Sequence, residues 1–180
     1  IRPALGKLAG IAAQTSADAK RLKSIGAGEI CITGNLKFDV TPAPEKLQLG
    51  AEWRRSFGRR PVWLAASTRE GEEPLILDAF SRLDLPELLL LLVPRHPQRF
   101  NEVAAMVQER GLPFCRRSEG GFPGPETRVW LGDSMGEMPA YFAAADISLI
   151  GGTLLPFGGQ NLIEAAACGC PVLVGPHTFN

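Results

Sequence analysis

The densest chemistry in this sequence lies in one stretch, Gly151-Gly152-Thr153-Leu154-Leu155-Pro156-Phe157-Gly158-Gly159-Gln160-Asn161-Leu162-Ile163-Glu164. An apolar run ends in two glycines, a loop follows, and a second glycine pair opens a helical pattern. Glycine lets backbone N–H groups approach an anion, and a helix start adds a partial positive charge. Glu164 follows Asn161 by three residues, so the two share a helix face. A carboxylate so placed can accept hydrogen bonds from both hydroxyls of a ribose. The same residues also suit a tight turn with a first-turn acid.

Arg95 stands directly after an apolar run, between Pro94 and His96-Pro97. Its planar fork fits a phosphate or a carboxylate, and fits a surface ion pair equally. His96 reads as a structural histidine. Met135-Gly136-Glu137 opens a further helical pattern whose free N–H groups could hold a base or a phosphate, or simply begin a helix. Ser67-Thr68-Arg69 offers two hydroxyls and a guanidinium, followed by Glu72 and Glu73; its plain alternative is a helix N-cap. Arg54, Arg55, Arg59 and Arg60 form a basic cluster that suits a solvated helix end or an acidic membrane surface.

Other patterns lead elsewhere and fail. Gly132-Asp133-Ser134-Met135-Gly136 spells the G-x-S-x-G of a hydrolase elbow, with Asp146 and His177 in the right order for a triad. Asp146, however, begins its strand, which puts it at the end of a sheet opposite Ser134. Gly26-x-Gly28 precedes a strand and lacks the third glycine of a dinucleotide fingerprint. Cys31, Cys115, Cys168 and Cys170 show no zinc spacing, and Cys168-x-Cys170 reads as small core filler. Free thiols fit a reducing cytoplasm. Lys+Arg and Asp+Glu number 19 each, a balance unlike that of a nucleic-acid scaffold.

The elements that must position these residues alternate in type. Strands are expected at 29–33, 62–66, 88–93, 113–115, 127–131, 147–150 and 171–174. Helices are expected at 17–25, 45–57, 72–83, 98–110, 137–145 and 161–168. Near-continuous apolar strands alternating with helices predict an α/β fold, a parallel sheet with helices on both faces. In such a sheet ligands bind outside the carboxyl ends of the strands, where the motifs above fall. With 180 residues and 45% hydrophobic residues the chain suits one domain, or one domain plus a piece of another. The apolar run 88–93 is far short of the roughly 20 residues of a membrane span. Ile1 is not an initiator Met and the end follows a buried-type strand, so both ends read as internal to something longer.

Taken in order, Gly34-Asn35-Leu36-Lys37-Phe38-Asp39, residues 67–73, Pro94-Arg95-His96-Pro97, Gly132-Asp133-Ser134-Met135-Gly136-Glu137 and residues 151–164 resemble the motifs of the 3-deoxy-D-manno-octulosonic acid (Kdo) transferases of lipopolysaccharide synthesis. Pro171-Val172 and Gly175-Pro176-His177 carry the resemblance over nearly the whole chain. It implies a GT-B glycosyltransferase, in which two Rossmann-like domains face each other across a cleft. Residues 1–33 would end the N-terminal acceptor domain and linker. Residues 34–180 would form the C-terminal donor domain, truncated at its end.

The implied reaction moves Kdo from CMP-Kdo to a lipid A precursor (lipid IVA) at the cytoplasmic face of the bacterial inner membrane. The full-length protein would touch the membrane surface. By resemblance Pro94, Arg95, Met135, Gly136, Glu137, Asn161, Leu162, Ile163 and Glu164 contact CMP. Ser67, Arg69, Gly158, Gly159 and Gln160 are candidate contacts to donor sugar or phosphate, with Gln160 standing where the family commonly has His. The family's catalytic base belongs to the N-terminal domain outside this chain, so no catalytic residue is nominated here and the chain alone should be inactive. No metal, other cofactor or nucleic acid is expected. The alternatives are another GT-B enzyme acting on a UDP-sugar, as a transferase or an epimerase, and a non-catalytic nucleotide-binding module.

Overall fold

Leu89-Leu90-Leu91-Leu92-Val93 carries no polar side chain on either side of its pleat, so it is stable only where both faces are covered. The computed structural model, which describes residues 2–35, 39 and 41–179, buries all five in the middle of a sheet. Leu36, Lys37 and Phe38 of the Gly34-to-Asp39 motif lie outside the described residues, as do Ile1, Val40 and Asn180.

The chain divides into two compact units, Ile1–Val40 and Thr41–Asn180; the sequence reading put the division between 33 and 34. The first unit holds α1 (Arg2–Leu5), β1 (Ile11–Ala13), α2 (Ser16–Ser24) and β2 (Ile30–Ile32), with the two strands paired in parallel. Neither α1 nor β1 was expected from the sequence. Thr15 caps α2 by accepting from the Asp18 N–H. Gly26, at φ +97°, ends it in a Schellman turn: its N–H donates to the Lys23 carbonyl and the Ala27 N–H to that of Leu22.

The second unit holds α3 (Pro44–Ser56), β3 (Val62–Thr68), α4 (Glu72–Arg82), β4 (Leu89–Pro94), α5 (Phe100–Glu109), β5 (Phe114–Arg116), β6 (Val129–Leu131), α6 (Met138–Ala144), β7 (Ile147–Ile150), α7 (Ile163–Ala167) and β8 (Val172–Leu173). Its six strands are all parallel, in the order β5-β6-β4-β3-β7-β8. Leu64 of β3 sits between Leu91 of β4 and Ser148 of β7.

Alternation along the strands sorts the core into two layers. On one face Leu64, Leu89, Leu91, Val93 and Ile150 pack with Trp53 and Phe57 from the α3 end and with Tyr141 and Phe142 of α6. Trp53 stands edge-on to Trp130 with ring centroids 4.9 Å apart, and lies at 4.9 Å from Tyr141 as well. On the other face Ala65, Leu90, Leu92 and Leu131 pack with Ile76, Leu77 and Phe80 of α4 and Val103 and Val107 of α5. Cys170 is buried in the first layer and burial pushes its thiol pKa up, which is the behaviour of small core filler.

Candidate functional site

The strand order fixes where a ligand can enter. From β3 the chain proceeds to β4, β5 and β6 on one side, then returns to β7 on the other side of β3. Where β3 and β7 lie side by side, the connections leave their carboxyl ends in opposite directions and open a crevice. A cleft of about 580 Å³ lies there. Ala66 and Ser67 at the end of β3, Ile150 at the end of β7 and Arg95 just past β4 form its floor and one side. Met135, Gly136, Met138, Pro139 and Phe142 line a second side, and Gln160, Asn161 and Glu164 a third.

The floor is built under tension. Ser67 has φ +55°, rare for a residue with a side chain, and the pairing of β3 with β4 slips between Ala66 and Thr68. Such backbone persists only where its surroundings hold it, and it concentrates at functional sites. Gly151 lies so close beneath that a Cβ on it would sit 2.2 Å from the Ser67 carbonyl oxygen. The Arg95 N–H donates to the Thr68 carbonyl at 3.0 Å, which anchors the residue while its side chain remains exposed at the cleft. Among the described residues the Arg95 guanidinium has no carboxylate partner.

The loop after β6 differs from the expected helix start. Gly136 takes φ +74°, so α6 begins only at Met138, with Pro139 in its first turn. The Glu137 carboxylate does not line the cleft. It accepts from Arg117 Nε at 3.2 Å and Nη2 at 3.0 Å, and from the Ser134 hydroxyl. Ser134 also lies 3.3 Å from the Tyr141 hydroxyl, and burial pushes the Tyr141 phenol pKa well up, so that it stays protonated. Asp133 is buried beside this network, accepting from Arg116 Nε at 2.7 Å and from the Ser118 N–H at 2.8 Å and hydroxyl at 2.6 Å.

The third side also departs from expectation. The helix forecast from 161 begins at Ile163 and has five residues. Asn161 stands before it and its Oδ1 accepts from the Ile163 N–H at 3.0 Å, an Asx turn that takes up one of the N–H groups expected to be open to an anion. Gly158 and Gly159, at φ +88° and +89°, shape the loop without lining the cleft. Arg69 is not among the lining residues, and its guanidinium lies 4.7 Å from the Phe157 ring centroid. Pro94 is buried as the last residue of β4, and Leu162 and Ile163 lie outside the lining.

The structure therefore gathers Ser67, Arg95, Met135, Gly136, Gln160, Asn161 and Glu164 around one cleft. It leaves Arg69, Pro94, Glu137, Gly158, Gly159, Leu162 and Ile163 outside the lining. The sequence reading missed the apolar lining of Ala66, Met138, Pro139, Phe142 and Ile150. Their signal was position, two at strand ends and three in the first turns of a helix, since their chemistry is that of any core.

The hydrolase pattern is not assembled. Asp146 accepts from the Val62 N–H at 2.8 Å, at the amino end of β3 and thus opposite the cleft, and pairs with Arg54. His177 donates its N–H to the Thr153 carbonyl. Among the described residues no three His, Cys, Asp or Glu side chains come together as a metal-binding group, and no helix is long and apolar enough to cross a membrane.

Residues 1–40 match a family model described as 3-deoxy-D-manno-octulosonic-acid transferase (kdotransferase). The whole chain is 50% identical over 186 residues to the 3-deoxy-D-manno-octulosonic acid transferase of Bordetella pertussis, of which it covers 43%. The crystal structure of the C-terminal CMP-Kdo binding domain of WaaA from Acinetobacter baumannii superposes with a TM-score of 0.73 at 35% identity, over 77% of this chain and 74% of that one. The chain belongs to the Kdo transferase family. A second transferase of that name, from Haemophilus influenzae, is 43% identical over 178 residues, which are 94% of this chain and 41% of the relative. This Kdo transferase chain thus spans less than half the length of the curated relatives it matches. Its parallel sheet is the Rossmann-like sheet of a GT-B C-terminal domain.

Proposed function

We propose that this chain is the donor-binding part of a Kdo transferase. Its cleft would bind CMP-Kdo, and the complete enzyme would transfer Kdo to a lipid A precursor at the cytoplasmic face of the inner membrane. The observation that carries the reading is Arg95, a guanidinium without a carboxylate partner among the described residues, at a cleft beside the strained Ser67. An exposed arginine paired with an acid on its own surface gains little from the pair. One left open toward a cleft suits an anionic ligand, and its fork matches a phosphate. Similarity to the CMP-Kdo binding domain of WaaA supports the same donor here.

In this reading CMP leaves the anomeric carbon of Kdo as an anion. Arg95 would stabilise the charge growing on the departing phosphate, with the Ser67 hydroxyl as a further donor, a protein-supplied alternative to a metal. Glu164 would accept from the ribose hydroxyls, and the apolar Met138, Pro139 and Phe142 side would shelter the base or the sugar from water. No residue of this chain is assigned as the general base that activates the acceptor hydroxyl. That task would fall to the acceptor domain of the complete enzyme. Contact with the membrane surface would likewise belong to the complete enzyme.

Calorimetric titration of the chain with CMP tests the reading, with UMP and an Arg95→Ala variant alongside. Saturable CMP binding, weaker for UMP and weakened about tenfold or more in the variant, is expected for a charge-assisted contact. Tighter binding of UMP than CMP would favour a UDP-sugar enzyme of the same fold. No binding of either nucleotide by the folded chain would overturn the assignment of a complete donor site to this chain.

A further inference from the structure

Glu72 does not line the cleft, and its side chain is fully buried. A buried carboxylate persists only where donors replace its water. Glu72 has three, all of them backbone N–H groups. Oε2 accepts from Arg69 at 2.8 Å and from Gly152 at 2.7 Å, and Oε1 accepts from Leu154 at 3.0 Å. The first bond is local, a glutamate in the opening turn of α4 closing back on the turn before it. The other two reach across to the loop that follows β7.

Two of those contacts, at Arg69 and Gly152, lead on to a side of the cleft. Arg69 follows Thr68, whose carbonyl receives the Arg95 N–H at 3.0 Å, and Thr68 follows the strained Ser67. The Gly152 carbonyl receives the Gly159 N–H at 2.7 Å, and the neighbouring Gly151 carbonyl receives the Gln160 N–H at 2.9 Å. Gln160 and Asn161 then line the cleft. Two lining segments far apart in sequence thus share one anchor.

We infer that Glu72 is the positioning residue of the cleft, a single buried carboxylate that fixes the Ser67–Arg95 side and the Gln160–Asn161 side relative to each other. The inference takes its ligand from the CMP-binding reading. Both carboxylate oxygens are needed as acceptors. A glutamine offers one acceptor oxygen and would turn an NH₂ toward N–H groups that also donate.

The test is Glu72→Gln, which keeps the volume of the side chain. Backbone amide exchange at Gly152 and Leu154 should quicken tenfold or more, about the effect of losing one local hydrogen bond. CMP affinity should fall about tenfold. Leu77→Ala, which empties part of the core on the α4 face, is the comparison: it lowers stability but should leave CMP affinity unchanged and should not single out those two amides from those of the sheet. Equal CMP affinity in Glu72→Gln and Leu77→Ala would overturn the inference. If the wild-type chain binds no CMP, the CMP reading fails by itself, and the exchange rates at Gly152 and Leu154 still decide whether Glu72 holds the loop. Should Glu72→Gln not fold, Glu72→Asp keeps the charge on a shorter stem. Faster exchange at Gly152 and Leu154 is then the expected result, and unchanged exchange overturns the inference.

Discussion

Asp133 shows how a single side chain can fix a loop and make it sensitive to acid. Its side chain is 1% exposed, and Arg116 Nε approaches within 2.7 Å. Burial by itself raises its pKa. The hydroxyl and N–H of Ser118 and the Arg116 guanidinium outweigh that, and the carboxyl is held below its ordinary value. A carboxyl depressed in the folded state contributes stability above its unfolded pKa, about 3.9, and loses it as pH falls through the lower folded value. Asp133→Asn should therefore lower the urea midpoint at neutral pH, and the gap from wild type should narrow below about pH 4, as the wild-type carboxyl protonates. A gap of constant size from pH 7 to pH 3 would show that the ionised form of Asp133 is not what the fold uses. Glu137 makes a related point about legibility. Its place in the Gly132-to-Glu137 motif was plain in the sequence, but its engagement by Arg117 was not, because that partner comes from another loop.

At the level of elements, the contact of α3 with α6 is set by a missing side chain. A Cβ on Gly50 would lie 2.4 Å from the Ala140 carbonyl oxygen and 2.7 Å from the Ala143 Cβ. In an isolated helix Gly→Ala gains about 1 kcal/mol. Here the two backbones would have to separate, drawing Trp53 away from Trp130 and Tyr141, and overpacking of this kind costs about 1–3 kcal/mol. Gly50→Ala should therefore lower the melting temperature by a few degrees; a higher melting temperature would show that the helices can give way. Such elements were largely legible because apolar period and breakers agree. The strands 62–66 and 147–150 and the helices 45–57 and 72–83 appear within two residues of their expected limits. The helix forecast at 161–168 shrank because Asn161 satisfies the first N–H itself, and β1 was missed because three residues of a two-stranded pair leave too short a pattern. The Ser67–Arg95 and Gln160–Asn161 sides of the cleft could not be read as joined, since the link is Glu72, which looks in sequence like any acidic residue in a first helical turn.

At the scale of the whole molecule, the apolar layers and the cleft lie in the same compact unit. Every residue of the two apolar layers belongs to Thr41–Asn180, and so does every residue lining the cleft. Among the described residues of the first unit, Ala13 and Ala27 are the buried apolar side chains. Two alanines supply little burial energy, and a chain of about 40 residues rarely folds on a core that small. A chain begun at Thr41 should then melt within about 2 °C of the full chain, a difference well under 1 kcal/mol for a domain of this size, and should bind CMP within about twofold. Comparison with a chain begun at Gly34 distinguishes the two boundaries. Equal melting temperatures for the 34–180 and 41–180 chains would put the domain boundary at Val40 and Thr41, where the compact units divide. A distinctly higher melting temperature for the 34–180 chain would assign the Gly34-to-Asp39 motif to the larger unit and move the boundary to 33 and 34. Loss of folding in both chains would show that Ile1–Val40 contributes to the core in a way that its two buried alanines do not reveal.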